Sequence, residues 1–142
     1  MFINQAGKVL EIFFKLNLHK MNGKKKILIY DSSRGYARFI KLNFKDFEVN
    51  NFSEYHNYKD INADDFEAVF FIVNNHIELL DLICFQSKKT LIFIGSPLPE
   101  INTKTESFDN VIFLDLQRSK KFILDFIKLF FNIYQINGSA TI

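Results

Sequence analysis

The sequence predicts an α/β fold: a three-layer αβα sandwich around a five-stranded parallel sheet in the order 2-1-3-4-5, with an added N-terminal helix. Three observations carry the prediction. Four apolar runs, at residues 27–30, 68–73, 90–94 and 111–114, contain no charge, which marks strands buried on both faces of a parallel sheet. Stretches with apolar residues at helical spacing lie between them, and right-handed crossovers then place helices on both sides of the sheet. The 142 residues are 48% hydrophobic and 24% charged, enough for one domain with its own core. At this size, 2-1-3-4-5 is the commonest strand order.

The elements follow in sequence. Val9, Ile12, Phe13 and Leu16 recur at i, i+3, i+4 and i+7, predicting an amphipathic helix over 5–20 that Asn22-Gly23 ends. We divide the chain into this extension (1–23), a domain over 24–137 and a tail over 138–142. Met21, just before the first strand, is an alternative start. Ile27-Leu28-Ile29-Tyr30 closes at Asp31 as the first strand, and Tyr36, Phe39, Ile40 and Leu42 give a helix from Gly35 to Asn43. Phe47 and Val49 alternate with polar residues in a shorter second strand. Residues 53–65 are polar, with Ser53 and Asp60 as candidate caps of at most a weak helix.

The third strand, 68–73, closes at Asn74-Asn75. Ile77, Leu80, Ile83 and Cys84 then predict a helix reaching Gln86. After the fourth strand, Gly95-Ser96-Pro97-Leu98-Pro99 breaks the chain, and 100–108 reads as a loop. The fifth strand leads to a long helix capped by Ser119 and running to about Ile136.

Composition excludes several classes of function. Eighteen Lys and Arg against sixteen Asp and Glu are scattered without a basic stripe, so no nucleic-acid surface is expected. The lone Cys84 rules out an internal disulfide or a cysteine-based zinc cluster and fits the reducing cytoplasm; we read it as a small core residue. His19, His56 and His76 lack metal-ligand spacing and read as surface residues. Glu54, Asp60, Asp64 and Asp65 read as a solvated acidic stretch, and no metal site is expected. Phe, Ile, Asn and Lys share A/T-rich codons, so most of the 18 Phe are expected to stand in the core in place of Leu. Lys8, Glu11 and Lys15 interrupt the early apolar residues, so no signal peptide is expected.

In this fold, ligands sit at the carboxyl ends of the strands, which directs attention to Asp31, Asn74, Asn75, His76, Gly95 and Ser96 as a candidate pocket. Ser32, Ser33, Arg34 and Gly35 open the first helix and form a candidate anion site, the plainer alternative being an ordinary capped turn.

The run Lys26-Ile27-Leu28-Ile29-Tyr30-Asp31-Ser32-Ser33 resembles the opening of two-component receiver domains, in which an apolar strand ends in acidic residues that hold Mg²⁺. The resemblance spans roughly 25–136 and implies a flavodoxin-like fold in a bacterial signal-transduction protein. A receiver needs an aspartate at the end of strand three as phosphoryl acceptor, and Val69-Phe70-Phe71-Ile72-Val73-Asn74 offers none. Ser96 supplies the hydroxyl after strand four, but Leu114-Asp115-Leu116 offers no lysine after strand five. The resemblance therefore implies a degenerate module with no enzymatic activity and no cofactor.

The stretch Asp31-Ser32-Ser33-Arg34-Gly35-Tyr36-Ala37 is also similar to the phosphate loop of flavodoxins, which implies FMN and electron transfer as the alternative. In the last helix, apolar residues exceed the one face a sheet requires, leaving Lys121, Asp125, Lys128 and Asn132 as a narrow polar stripe. Asp125 and Lys128 argue against membrane insertion. We expect a protein partner or a homodimer through Phe126, Phe130, Phe131 and Tyr134, or else cover by the N-terminal helix. The last helix of receivers commonly takes part in dimerisation, so the resemblance implies the same.

Overall fold

The structure, a computed structural model, describes residues 25–54, 61–84, 89–98 and 110–136. The expected N-terminal helix, the 100–108 loop, the tail, Asp60, His19 and His56 lie outside these residues. The elements are β1 (Lys25–Asp31), α1 (Gly35–Asn43), β2 (Phe47–Asn51), β3 (Ala68–Ile72), α2 (Glu78–Cys84), β4 (Leu91–Gly95), β5 (Val111–Leu114) and α3 (Lys120–Ile133). All strand pairs are parallel, and the sheet order is β2-β1-β3-β4-β5, as the sequence predicts.

Alternation along each strand sorts the core into two halves. Ile27, Ile29, Ala68, Phe70, Leu91, Phe93 and Leu114 face α1 and α3, while Leu28, Val69, Phe71, Val73, Ile92 and Ile94 face the opposite side, where Leu79 of α2 packs. Phe70 and Phe93, partners in the β3–β4 register, stack at 4.8 Å. Above them Phe131 of α3 meets Phe44, Phe47, Phe93 and Phe70, with ring centroids 5.2, 5.5, 6.0 and 6.4 Å away. Phe thus fills the interior in the way the composition suggests.

Three local features differ from expectation. Among the described residues, the stretch after β2 and before β3 holds 3₁₀ turns at Phe52–Glu54 and Ala63–Asp65, the latter capped by Asn62, whose Oδ1 accepts from the Asp64 amide at 3.0 Å. Ser53 lies inside the first turn rather than capping a helix. Helix α2 is rotated: Ile77 and Leu80 are 77% and 62% exposed, while Glu78 is only 6% exposed. The cause is local, because the Glu78 amide donates to Asn75 Oδ1 (3.1 Å) and the Glu78 carboxylate turns back toward Asn75 Nδ2 (3.4 Å) and the Asn74 amide (2.9 Å). This arrangement resembles a capping box and fixes where the helix starts and which side meets the sheet. The described part of α2 ends at Cys84, and the expected continuation to Gln86 lies outside the described residues.

Helix α3 starts as predicted, with Ser119 Oγ accepting from the Phe122 amide at 3.1 Å, but it ends at Ile133. Gln135 adopts a left-handed conformation (φ 56), its amide bonds to the Asn132 carbonyl, and the Ile136 amide bonds to the Phe131 carbonyl. These are the two hydrogen bonds of a Schellman motif, and Ile136 joins Phe131 in the core. A glutamine at the left-handed position carries Cβ strain that glycine lacks. Gln135→Gly is therefore expected to raise stability by roughly 0.5–1 kcal/mol, read as a higher urea midpoint. An unchanged or lower midpoint contradicts this reading of the terminus.

Candidate functional site

The carboxyl ends of β1 and β3 are adjacent in register, with Asp31 opposite Ile72, so Asn74 emerges beside the loop that follows β1. That loop turns tightly, the Arg34 amide bonding to the Asp31 carbonyl at 3.1 Å, and Arg34 itself has positive φ (62) as it enters α1. The Asp31 carboxylate closes the loop. Its Oδ1 accepts from the Ser33 amide (3.1 Å), Ser33 Oγ (2.8 Å) and Asn74 Nδ2 (3.0 Å), and its Oδ2 accepts from the Tyr36 amide (2.8 Å). Asp31 thus serves the free amides at the start of α1, an acidic group at the positive end of the helix.

The bonds this loop already makes weigh against the anion site expected at Ser32, Ser33, Arg34 and Gly35. The Ser33 and Tyr36 amides, which a phosphate would use, already bond the chain's own carboxylate, and Ser33 Oγ donates to the same group. Ser32 Oγ donates to Glu78 Oε1 at 2.6 Å. An anion here would have to displace Asp31 while facing its charge. The loop is a capped turn, with Asp31 as the cap in place of either serine. Arg34 and Gly35 are exposed, and Arg34 has no ion pair among the described residues.

The pocket expectation is met only in part. Asn74 and Asp31 come together, Asn74 Nδ2 also reaching Ser32 Oγ at 3.2 Å, and Asn75 joins through Glu78. His76 is exposed. Gly95 and Ser96 are buried and structural. Ser96 Oγ donates to the Val73 carbonyl and accepts from the Leu98 amide at 3.1 Å, so its hydroxyl ties the end of β3 to the loop after β4. A Cβ on Gly95 would lie 3.0 Å from Leu116 Cγ, so Leu116 fills the space over the end of β4.

An open cleft of about 220 Å³ lies on the β2 side of the loop instead. Tyr30, Asp31, Ser32, Arg34, Asn51, Phe52 and Ser53 contribute to its walls. Asn51 and Phe52 escaped the sequence reading, although the order 2-1 itself places the end of β2 beside the end of β1. Glu78 was missed too, and its signal was present: Asn75-His76-Ile77-Glu78 has the spacing of a capping box. Among the described residues, no group of three His, Cys, Asp or Glu side chains is placed to hold a metal ion.

Tyr30 links the cleft to α2. Its ring stacks on Phe71 at 4.2 Å and meets Phe52 edge-on at 4.9 Å, while its hydroxyl donates to Asp81 Oδ2 at 2.5 Å. Burial pushes the Tyr30 phenol well above its ordinary value, and the hydrogen bond to Asp81 and the charges of Asp81 and Glu78 push it the same way. Burial raises Tyr36 likewise, with the Asp31 charge adding to it. A phenol whose folded pKa exceeds the unfolded one stabilises the fold fully below the unfolded value. That contribution is lost as pH rises above about 10 toward the folded value. The fall in unfolding free energy above that pH is expected to be shallower in Tyr30→Phe than in the wild type, measured by urea titration across the alkaline range. Equal slopes would show that Tyr30 ionises freely in the folded protein.

The predicted interface residues on α3 divide. Phe131 is buried against the sheet and is corrected to a core residue. Phe126 and Phe130 are half-buried on the same core, and Tyr134 caps the helix end at 40% exposure. The apolar side chains that face outward are Phe122, Leu129 and Ile133. No helix among the described residues is long and apolar enough to cross a membrane. Comparison with protein-family models, with curated proteins and with solved structures finds no match to this chain.

Proposed function

We propose that this chain is a non-catalytic protein-interaction or regulatory module, receiver-like in architecture and without phosphorylation chemistry, acting in the cytoplasm through the outer face of α3. The observation that carries the reading is the closed state of the strand ends. Asp31 accepts four hydrogen bonds from its own chain, and the position that would carry an acceptor carboxylate is Asn74, which donates one of them. Acyl-phosphate formation needs a free carboxylate nucleophile and a cation to offset the charge that develops. Asp31 is committed to the helix start, and Leu116 packs against Gly95 beyond β5. The outer face of α3, in contrast, leaves large apolar side chains in water, as interaction surfaces do.

A small FMN-binding electron-transfer protein is the second reading, favoured by the cleft beside Tyr30, Phe52 and Arg34. The Asp31 carboxylate in the cleft wall opposes it, because it repels a phosphate placed there. Two titrations test the choice. Added FMN is expected to keep its free fluorescence, and beryllofluoride with Mg²⁺ is expected to leave the amide resonances of Asp31, Ser32 and Asn74 in place. Quenched flavin would establish the second reading. Shifts of those resonances with beryllofluoride would overturn the first.

A further inference from the structure

Resting on that reading of the α3 surface, we propose that its partner is a second copy of this chain, the two α3 helices lying antiparallel across a two-fold axis. Phe122, Phe126, Leu129 and Ile133 follow one another at intervals of four, three and four residues. That is the spacing of a coiled-coil seam, which keeps apolar side chains in one row along a helix. Phe122, Leu129 and Ile133 are 46%, 53% and 59% exposed, and Phe126 bridges the row to the core, its ring 6.2 Å from Phe122 and 4.9 Å from Phe130. The row is separate from the buried arc of Ile123, Ile127 and Phe131, so the sheet does not use it.

Charge decides both the occupant and its direction. Lys121, Asp125, Lys128 and Asn132 flank the row on one side and are all exposed. Among the described residues, Lys121, Asp125 and Lys128 have no ion pair. A two-fold axis pairs residue i with j and j with i. If Phe126 meets Leu129 of the partner subunit, Phe122 meets Ile133 of the partner subunit, and Asp125 lies beside Lys128 of the partner subunit. The same contact occurs twice by symmetry, so the stripe is complementary to itself. A parallel pairing would instead carry the two stripes to opposite sides of the seam, where neither Asp125 nor Lys128 meets an opposite charge of the other copy.

Sedimentation equilibrium of the full chain over a range of concentrations tests this, with circular dichroism to confirm the fold of each variant. The wild type is expected to move from the mass of one chain toward twice that mass, and Leu129→Lys is expected to stay at one. Asp125→Lys and Lys128→Asp alone are each expected to weaken association roughly tenfold, because like charges then meet twice across the axis. The double variant Asp125→Lys/Lys128→Asp is expected to recover it, since the swap restores both pairs. A wild type that is monomeric throughout overturns the proposal, as does a dimer that survives Leu129→Lys or a double variant no better than the singles. Any of these leaves the non-catalytic reading standing, because the FMN and beryllofluoride titrations judge that reading separately.

Discussion

Phe131→Ala is expected to cost about 3–5 kcal/mol, a large fraction of the roughly 5–15 kcal/mol that holds a domain of ordinary size together. Phe131 is 5% exposed and contacts the rings of Phe44, Phe47, Phe70 and Phe93, which reach it from the residue that ends α1, from β2, from β3 and from β4. Removing the ring leaves a cavity lined by other rigid rings, which cannot collapse to fill it, so the upper part of the range is expected. Leu129 and Ile133, on the same helix, face water in the single chain, and at concentrations where the chain is monomeric replacing either with Lys is expected to change stability by less than about 0.5 kcal/mol. Urea denaturation followed by circular dichroism measures both. A Phe131→Ala protein with the wild-type midpoint would mean that a different face of α3 meets the sheet.

Glu78→Ala is expected to destabilise by about 2–3 kcal/mol, the second-largest effect. Glu78 is 6% exposed, and its carboxylate accepts from Ser32 Oγ and the Asn74 amide while turning back on Asn75. Truncation to alanine removes the acceptor of those donors at the carboxyl ends of β1 and β3 and the contact that sets the rotation of α2. Glu78→Gln keeps one acceptor oxygen and the side-chain shape, so it should lose less than half as much. Thermal melts of the two variants beside the wild type check the order. Equal and negligible losses would show that α2 is positioned by its apolar residues alone.

The strands were legible because burial on both faces leaves no room for charge. Ile27 to Tyr30, Ala68 to Val73 and Val111 to Leu114 could not be mistaken for surface, and the sheet order followed from chain length and alternation. Gly35 to Asn43 was legible as a helix because its apolar residues keep helical spacing between a tight turn and a strand. The rotation of α2 was harder to read, since Ile77 and Leu80 suggest one buried face and the Asn75–Glu78 pair imposes another. A buried glutamate contradicts hydrophobicity, and only its hydrogen bonds explain it.

Helix α3 shows a different limit. A helix that is apolar around most of its circumference has no hydrophobic direction, so its sequence excludes the polar stripe from the core but does not choose among the remaining faces. The shape of the sheet and the ring of Phe44 made that choice in favour of Ile123, Ile127 and Phe131. The role of Asp31 was hidden for a related reason. An acid ending a buried strand is equally suited to hold Mg²⁺, to cap the next helix or to repel a phosphate. What separates these roles is whether the amides of Ser33 and Tyr36 turn toward it, and here they do.

The central claim, that the acidic residues at the strand ends serve the fold and carry no phosphoryl chemistry, is tested most directly by intact-mass spectrometry after incubation with acetyl phosphate and Mg²⁺. The account predicts one species at the unmodified mass. A stoichiometric phosphoryl adduct on Asp31, Glu78 or any other carboxylate would contradict it.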